Sequence, residues 1–310
     1  MSRWTTNDIP DLHGRTALVT GANSGLGLET CLALAAKGAH VIMASRNLEK
    51  ARQALSIIAT KVPSASPELV QLDLASLASI RACAASILNH HQHLDLLFNN
   101  AGVMAIPRQE TQDGFEMQFG TNHLGHFALT GLLLPLLLAT PGSRVITTTS
   151  MARRFGRINF NDLNRTQAYN RWEAYGQSKV ANLLFAFELQ KRLAAAGTQT
   201  ISVAAHPGYA NTNLQSNSAT SRFEAIGYKL FGPILAQSAA MGALPQLYAG
   251  TSPDIHGGEL VGPGSLGGLR GYPKIERQAQ REYDPVTAAR LWEVSTDLTG
   301  VDYAALQART

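Results

Sequence analysis

The sequence predicts an α/β fold, a parallel seven-stranded sheet with helices on both faces, and three observations predict it. Short β-type apolar runs alternate with longer runs of helical period along most of the chain. A glycine-rich turn, Thr20-Gly21-Ala22-Asn23-Ser24-Gly25-Leu26-Gly27, joins the first strand-like run to the first helical one. The composition is globular, with 45 % apolar and 15 % charged residues, far from the charge-rich pattern of disorder.

In order, Thr16–Thr20 is the first strand and Leu26–Lys37 the helix behind the glycine turn. Ala39–Ala44 with Leu48–Lys61 repeats the pair, as do Leu69–Leu72 with Ser76–His90 and Leu94–Phe98 with the long pattern Gln112–Leu138. Arg144–Thr149 leads into Glu173–Ala196, Ile201–Ala205 into Ser238–Ala249, and Gly258–Val261 into Pro285–Thr296. Unbroken alternation of this kind is the pattern of a doubly wound sheet. At 310 residues the chain can bury one large core, and without a repeat, linker or composition shift residues 1–310 are expected to form a single domain. The less regular stretch Tyr209–Pro233 lies at the carboxyl edge of the sheet, where doubly wound folds place ligands. Residues 209–233 are therefore expected to be a substrate lid, and Leu214, Phe223, Ile226, Tyr228, Leu230 and Phe231 suggest an apolar or aromatic partner. Residues 263–310 are expected to pack on the body as a C-terminal extension, through the apolar face that includes Leu291, Trp292 and Val294.

The net charge of +4 is spread along the chain without a basic run, so a nucleic-acid partner is not expected. Cys31 and Cys83, both within helical patterns, suggest buried thiols in a reducing compartment rather than a disulfide framework. The segment Met1–Arg15 is polar and lacks the apolar core of a signal peptide. The greasiest run, Phe127–Ala139, is interrupted by Thr130, Gly131 and Pro135 and is well short of the ~20 apolar residues of a membrane helix, so it reads as a buried or interface helix. The expectation is a cytoplasmic protein without a membrane partner. His90, His91 and His93 lie at a helix-to-strand junction without carboxylates or thiolates arranged as ligands, which reads as a solvated polar turn, and no metal is expected. The glycine-rich stretch Gly257–Gly268 reads as a connecting loop.

Chemistry enters at two places. A strand ending at Thr20, the glycines Gly21, Gly25 and Gly27, and a helix behind them bring backbone N–H groups and a helix N-terminus to a pyrophosphate. That is the Rossmann-type arrangement, and it makes Gly21, Asn23, Ser24, Gly25, Leu26 and Gly27 cofactor-binding candidates. About twenty residues on, where NAD-binding proteins carry an acid for the ribose, the second strand ends Ser45-Arg46-Asn47 without a carboxylate. Arg46 can pair with a 2′-phosphate while Ser45 or Asn47 hydrogen-bonds it, which favours NADP(H) over NAD(H). Asp73, with Leu74, sits where a side chain reaches an adenine edge; capping the helix at Ser76 is its other reading. The second place is Tyr175-Gly176-Gln177-Ser178-Lys179: a phenol and an ammonium at i and i+4 share one helix face, and the cation stabilises the phenolate that a general acid/base tyrosine needs.

Gly21-x-x-x-Gly25-x-Gly27, Asn99-Asn100-Ala101-Gly102, Asn122, Ser150 and Tyr175-x-x-x-Lys179 occur in the order and at the spacings of a known family. Over roughly Leu12 to Leu260 the chain resembles the short-chain dehydrogenase/reductase family. The strings Thr121–Phe127, Ile158–Leu163 and Tyr175–Leu184 resemble its retinol dehydrogenase-like branch, with a soluble bacterial-type relative as the better comparison because that branch's vertebrate membrane anchor is not seen. The resemblance implies reversible hydride transfer between a nicotinamide and a carbonyl or alcohol carbon. It implies Tyr175 as general acid/base, Lys179 on the nicotinamide ribose, Ser150 on the substrate oxygen and Asn122 in a water relay to Lys179. It further implies Asn100, Ala101 and Gly102 beside the cofactor, and Pro207, Gly208 and Thr212 in the segment that closes over the nicotinamide. The usual serine pair is Thr149-Ser150 here; strand alternation points Thr148 and Ser150 to one face, and Thr148 is the second choice for the catalytic role. A carbon-carbon double-bond reductase of the protochlorophyllide reductase type and a non-catalytic NADP-binding sensor are the alternative readings. His123 and His126 read as packing or capping residues, and a homo-oligomer through the two long helices is possible in this family, as is a monomer.

Overall fold

The computed structural model describes residues 3–209 and 237–307. The expected lid beyond Tyr209, with Thr212, lies outside the described residues. Eight strands form one sheet in the order β3-β2-β1-β4-β5-β6-β7-β8. They are β1 Thr16–Thr20, β2 His40–Ser45, β3 Glu68–Gln71, β4 Leu96–Asn99, β5 Arg144–Thr148, β6 Ile201–Ala205, β7 Leu260–Ser265 and β8 Arg270–Ile275. The helices are α1 Gly25–Ala35, α2 Leu48–Lys61, α3 Leu77–His90, α4 Met117–Ala139, α5 Arg171–Ala195, α6 Ala239–Thr251, α7 Pro285–Thr299 and the short α8 Ala304–Gln307. β1 to β7 run parallel, so the expected Rossmann-type, doubly wound sheet is present.

Alternate residues of each strand feed two cores. Leu18, Ile42 and Ala44 face one layer with Ile80 and Ile87 of α3, Phe127 of α4 and Phe185 of α5. Ala17, Val19, Val41 and Met43 face the other with Cys31 and Leu34 of α1, Ile58 of α2 and Leu247 of α6. Burial on both faces is why these strands read as continuous apolar runs rather than as alternation. Each core takes one cysteine; burial raises both thiols, Cys83 to about 12, so they are inert side chains.

Three elements depart from expectation. The strand expected at Gly258–Val261 is β7, shifted to Leu260–Ser265 and so running on into the stretch read as a loop, and β8 then returns antiparallel to it as an eighth, edge strand. The turn between them places Gly267 and Gly268 at φ 66° and 95°, open to glycine alone without strain. Pro273 fits β8 because an edge strand can spare a donor. The helix expected over Gln112–Leu138 begins at Met117, where Glu116 caps it by accepting from the Phe119 N–H at 2.7 Å. It continues without a break through Pro135 to Ala139, one residue past the expected end. By length and composition α4 could cross a membrane, yet 78 % of its apolar window is buried, as the reading of a core helix requires. Finally, α4 opens with a π-helical turn, Gly120–Leu124, that carries Asn122.

At the C-terminal end, Trp292 of α7 packs against Phe127, Phe185 and Tyr303 with ring centroids 5.2, 5.9 and 4.4 Å apart. Part of the α4–α5 face, one possible surface for association of copies, is thus covered by the chain's own C-terminal helix.

Candidate active site

The strand order reverses between β1 and β4, and the glycine turn sits in that crevice, beyond the carboxyl ends of the strands. Gly21 and Gly25 adopt φ of 67° and 54°. A Cβ on Gly27 would fall well under 3.0 Å from the Gly21 carbonyl oxygen, so only glycine lets α1 lie this close to the end of β1. Ser24 opens α1 without a side-chain cap, which leaves the first-turn N–H groups available to an anion. These residues belong to a cavity of about 370 Å³ lined by Gly21, Asn23, Ser24, Gly25, Leu26, Gly27, Ser45, Arg46, Asn47, Asp73, Leu74, Asn100, Ala101 and Gly102. All fourteen were singled out in the sequence, and the glycine-lined cradle fits a dinucleotide. Gly27→Ala is expected to destabilise the fold by about 1–3 kcal/mol, as overpacking does. Calorimetry should show a lower melting midpoint and a fluorescence titration weaker dinucleotide binding; an unchanged midpoint and affinity would remove the close-approach argument.

The Thr20 hydroxyl ties this turn to the Asn-Asn-Ala-Gly segment. It accepts from the N–H groups of Asn100 and Ala101, both at 2.9 Å, and lies 2.9 Å from His126 Nε2. His126 Nδ1 is 2.9 Å from the Asn122 carbonyl, which can only accept, so Nδ1 carries the proton and Nε2 takes the threonine O–H. Burial lowers His126 to about 4 and His123 to about 3; both are neutral packing residues, as their sequence context suggested.

At the other end of the cavity Arg46 and Asn47 are exposed and Ser45 buried. Asn47 already caps α2, accepting from the Lys50 N–H at 2.9 Å, and the Ser45 hydroxyl donates to the Asn47 carbonyl at 3.4 Å. That leaves Arg46 as the principal cation there, joined by Lys50, which the sequence reading missed although it stands four residues on, in the first turn of α2. Asp73 does not cap α3. Ser76 does, accepting from the Ser79 N–H at 3.3 Å, while Asp73 Oδ1 accepts from the Ala75 N–H at 3.0 Å. Leu72, Val103, Met104, Ile106 and Thr121 complete the lining; Thr121 opens the string Thr121–Phe127, and the other four carry no motif by which a sequence could show them.

The four candidate catalytic residues converge from α4, α5 and the segment after β5. Asn122 clamps Val103 from both sides: its Nδ2 donates to the Val103 carbonyl at 2.9 Å and its Oδ1 accepts from the Val103 N–H at 2.8 Å. Nδ2 also donates to Ser178 Oγ at 2.9 Å, which fastens α4 to the helix of Tyr175 and Lys179. Lys179 Nζ lies 5.7 Å from the centre of the Tyr175 ring and donates to the Thr148 carbonyl at 3.2 Å. Burial lowers Lys179 from 10.5 to about 8. Burial raises Tyr175, and a side-chain hydrogen bond with Ser150 acts in the opposite direction. In this arrangement Tyr175 is therefore a phenol poised as a proton donor, with Ser150 already on its hydroxyl.

Thr148, the second choice beside Ser150, is not available. Its hydroxyl donates to Gln246 Oε1 at 3.1 Å, away from Tyr175. Strand alternation stops short of Ser150 because β5 ends at Thr148 and Ser150 caps a short 3-10 turn, accepting from the Ala152 N–H at 3.2 Å. Pro207 and Gly208 follow β6 and lie outside the cavity; Gly208, at φ 65°, packs against the Leu269 carbonyl. The sequence reading also missed what holds the Ser150 turn. Arg153, fully buried, reaches Glu276 and Glu282, each at 2.8 Å, and its guanidinium lies 3.4 Å from the Ser150 carbonyl. His206 Nε2 lies 2.5 Å from Glu276. Burial works to raise Glu276, but His206 and the flanking guanidiniums hold it at about 2. The partners are more than sixty residues apart, beyond any local pattern.

Comparison with known proteins agrees with this geometry. The family described as short chain dehydrogenase matches residues 15–222. Retinol dehydrogenase 14 of Mus musculus is 38 % identical over 300 residues, covering 94 % of this chain and 87 % of its own length. A crystal structure from Mycobacterium Paratuberculosis superposes with TM-score 0.80 at 42 % identity, covering 97 % of this chain and 99 % of the other. A short chain dehydrogenase from Shigella flexneri complexed with NADP gives TM-score 0.63 at 25 % identity, covering 82 % and 98 %.

Proposed function

The chain belongs to the short-chain dehydrogenase family, in its retinol dehydrogenase-like branch, and from that premise we propose an NADP(H)-dependent oxidoreductase acting on apolar or aromatic aldehydes and ketones or the matching alcohols. Family membership carries nicotinamide-dependent hydride transfer in general. The finer reading rests on one observation, the exposed Arg46 at a cavity end where β2 offers no carboxylate, with Lys50 beside it. A bound nicotinamide would supply or accept the hydride, held by the glycine turn and Asn100 to Gly102.

In this reading Tyr175 Oη gives its proton to the carbonyl oxygen during reduction and recovers it during oxidation. Ser150 Oγ holds that oxygen in place. Lys179 sets positive charge beside the phenol when the proton leaves, and Asn122 keeps Val103 and α5 in register so that the other groups meet. Burial keeps Tyr175 protonated, which supports reduction. Support for an apolar substrate comes from two exposed rings beside the site: Trp172, edge-on to Tyr175 at 6.3 Å, and Phe155, 56 % exposed and packed over Gly176. The proposal includes a cytoplasmic location, with α4 as a core helix of the fold.

The test is oxidation of NADPH and NADH by purified protein against a panel of aldehydes and ketones, retinal included. NADPH is expected to be preferred, and Arg46→Ala to raise the KM for NADPH by about 10–100-fold, the worth of a charge-assisted hydrogen bond, with little change for NADH. Equal use of both cofactors, unchanged in the variant, would overturn the NADP(H) assignment. Tight binding without turnover on any carbonyl would overturn the substrate class.

A further inference from the structure

We propose that His40, Glu68 and His91 form a binding site for a divalent cation of the zinc class at the amino-terminal edge of the sheet, opposite the cavity. His40 opens β2 and Glu68 opens β3. Glu68 pairs in register with Ile42, two residues after His40. Side chains at i and i+2 share a sheet face, so His40 and Glu68 are neighbours on the face that carries Ile42. That is the face covered by α3, whose Ile87 packs in the same core as Ile42. His91 is the residue immediately after α3, held by its N–H to the Ile87 carbonyl at 2.9 Å, and it swings over the same edge.

The three ligand atoms lie within 4.8 Å of one another. Glu68 Oε2 is 3.5 Å from His40 Nε2 and 3.1 Å from His91 Nε2. Ligands about 2.0–2.1 Å from zinc in a tetrahedron stand ~3.3 Å apart, so two of the three edges are already set. The decisive atom is His91 Nε2. Its side chain is 13 % exposed, and this nitrogen is buried without a hydrogen-bond partner, because Glu68 is near it but off the hydrogen-bonding direction. A buried ring nitrogen left unpaired is costly, and a cation on its lone pair would have the carboxylate oxygen as its adjacent ligand. Two imidazoles and one carboxylate suit zinc, nickel or copper and not magnesium, and the set leaves a position for water. Read along the chain, His91 has only His90 and His93 for company; the fold supplies the carboxylate and second imidazole that the sequence reading found lacking. The cation would clip the edge strand β3 to β2 and to the α3–β4 turn.

The experiment is isothermal titration of untagged, chelator-treated protein with ZnCl₂, alongside Glu68→Gln and His91→Gln, with melting curves and hydride-transfer rates for each. One equivalent is expected to bind wild type in the micromolar range or tighter, at least tenfold more weakly in either variant, with MgCl₂ silent. Saturating zinc should raise the wild-type midpoint by on the order of 5 °C and leave the variants unmoved. Catalytic rates without zinc should not differ. Should Glu68→Gln fail to fold, His40→Asn at the exposed start of β2 makes the same comparison. No binding, or binding that the variants leave unchanged and that is therefore an adventitious ion only, at His13, His90 or His256 for example, overturns the proposal.

Discussion

Tyr175→Phe lowers kcat by about 10²–10⁴-fold, the range a positioned acid/base contributes, while the dissociation constant for NADPH stays within a few-fold of wild type. The substitution removes one oxygen and leaves the ring. Tyr175 is 8 % exposed, and its ring keeps its edge contact with Trp172 and its place 5.7 Å from Lys179 Nζ. The glycine turn and Asn100 to Gly102, which would hold most of the dinucleotide, are untouched by the substitution. Although Tyr175 is itself a cofactor-binding candidate, the loss of one hydroxyl is therefore expected to change affinity only a few-fold. What is lost is the hydroxyl that Ser150 engages and that would deliver the proton. Single-turnover kinetics beside a fluorescence titration separates the two quantities. A variant retaining more than about a tenth of the wild-type rate would mean that another group moves the proton, since even the low end of the expected effect is larger.

Lys179→Met is expected to abolish turnover and, at neutral pH and without ligand, to raise the melting temperature. Lys179 is 4 % exposed and burial takes it from 10.5 to about 8. The folded state therefore disfavours its charged form. That penalty is fully present below about 8 and is relieved as the pH climbs toward 10.5, because over this window the unfolded chain holds more protons than the folded one. A shift of this size corresponds to about 3 kcal/mol as a ceiling, at 1.36 kcal/mol per pKa unit. The lost hydrogen bond subtracts little, because the Thr148 carbonyl also accepts from Asn182 Nδ2 at 3.0 Å. Calorimetry at pH 7 and pH 10 is the check: the variant should melt above wild type at the lower pH, with the gap closing at the higher. A variant that melts below wild type at pH 7 would show that the ammonium stabilises the folded chain, and the strain argument would be lost.

What the sequence revealed and what it hid divide along a physical line. The glycine turn, the cavity lining and the Tyr175–Lys179 pair were legible because each is a local pattern: a backbone that must come close, or two side chains one helical turn apart. The parallel strands were legible because burial on both faces leaves apolar runs. β8 was not, because an exposed edge strand of Arg-Gly-Tyr-Pro-Lys-Ile carries neither alternation nor an apolar run. Thr148 was assigned a direction by strand alternation that held only as far as the strand itself, which ends there. Arg153 with Glu276, and His91 with Glu68 and His40, join residues brought together by the sheet alone, and no spacing in the chain announces such meetings.

The π-helical turn at Gly120–Leu124 amounts to one surplus residue in α4. In regular winding each residue advances by roughly 100°, so without the surplus Asn122 would point about a quarter-turn away from Val103 and Ser178. The turn absorbs the excess within five residues, and Phe127, three residues on, still meets Phe185 and Trp292 in the core. One added residue thus aims a side chain without disturbing the phase of the helix that carries it. The direction of Asn122 is thereby set independently of the core packing, which is left as it was.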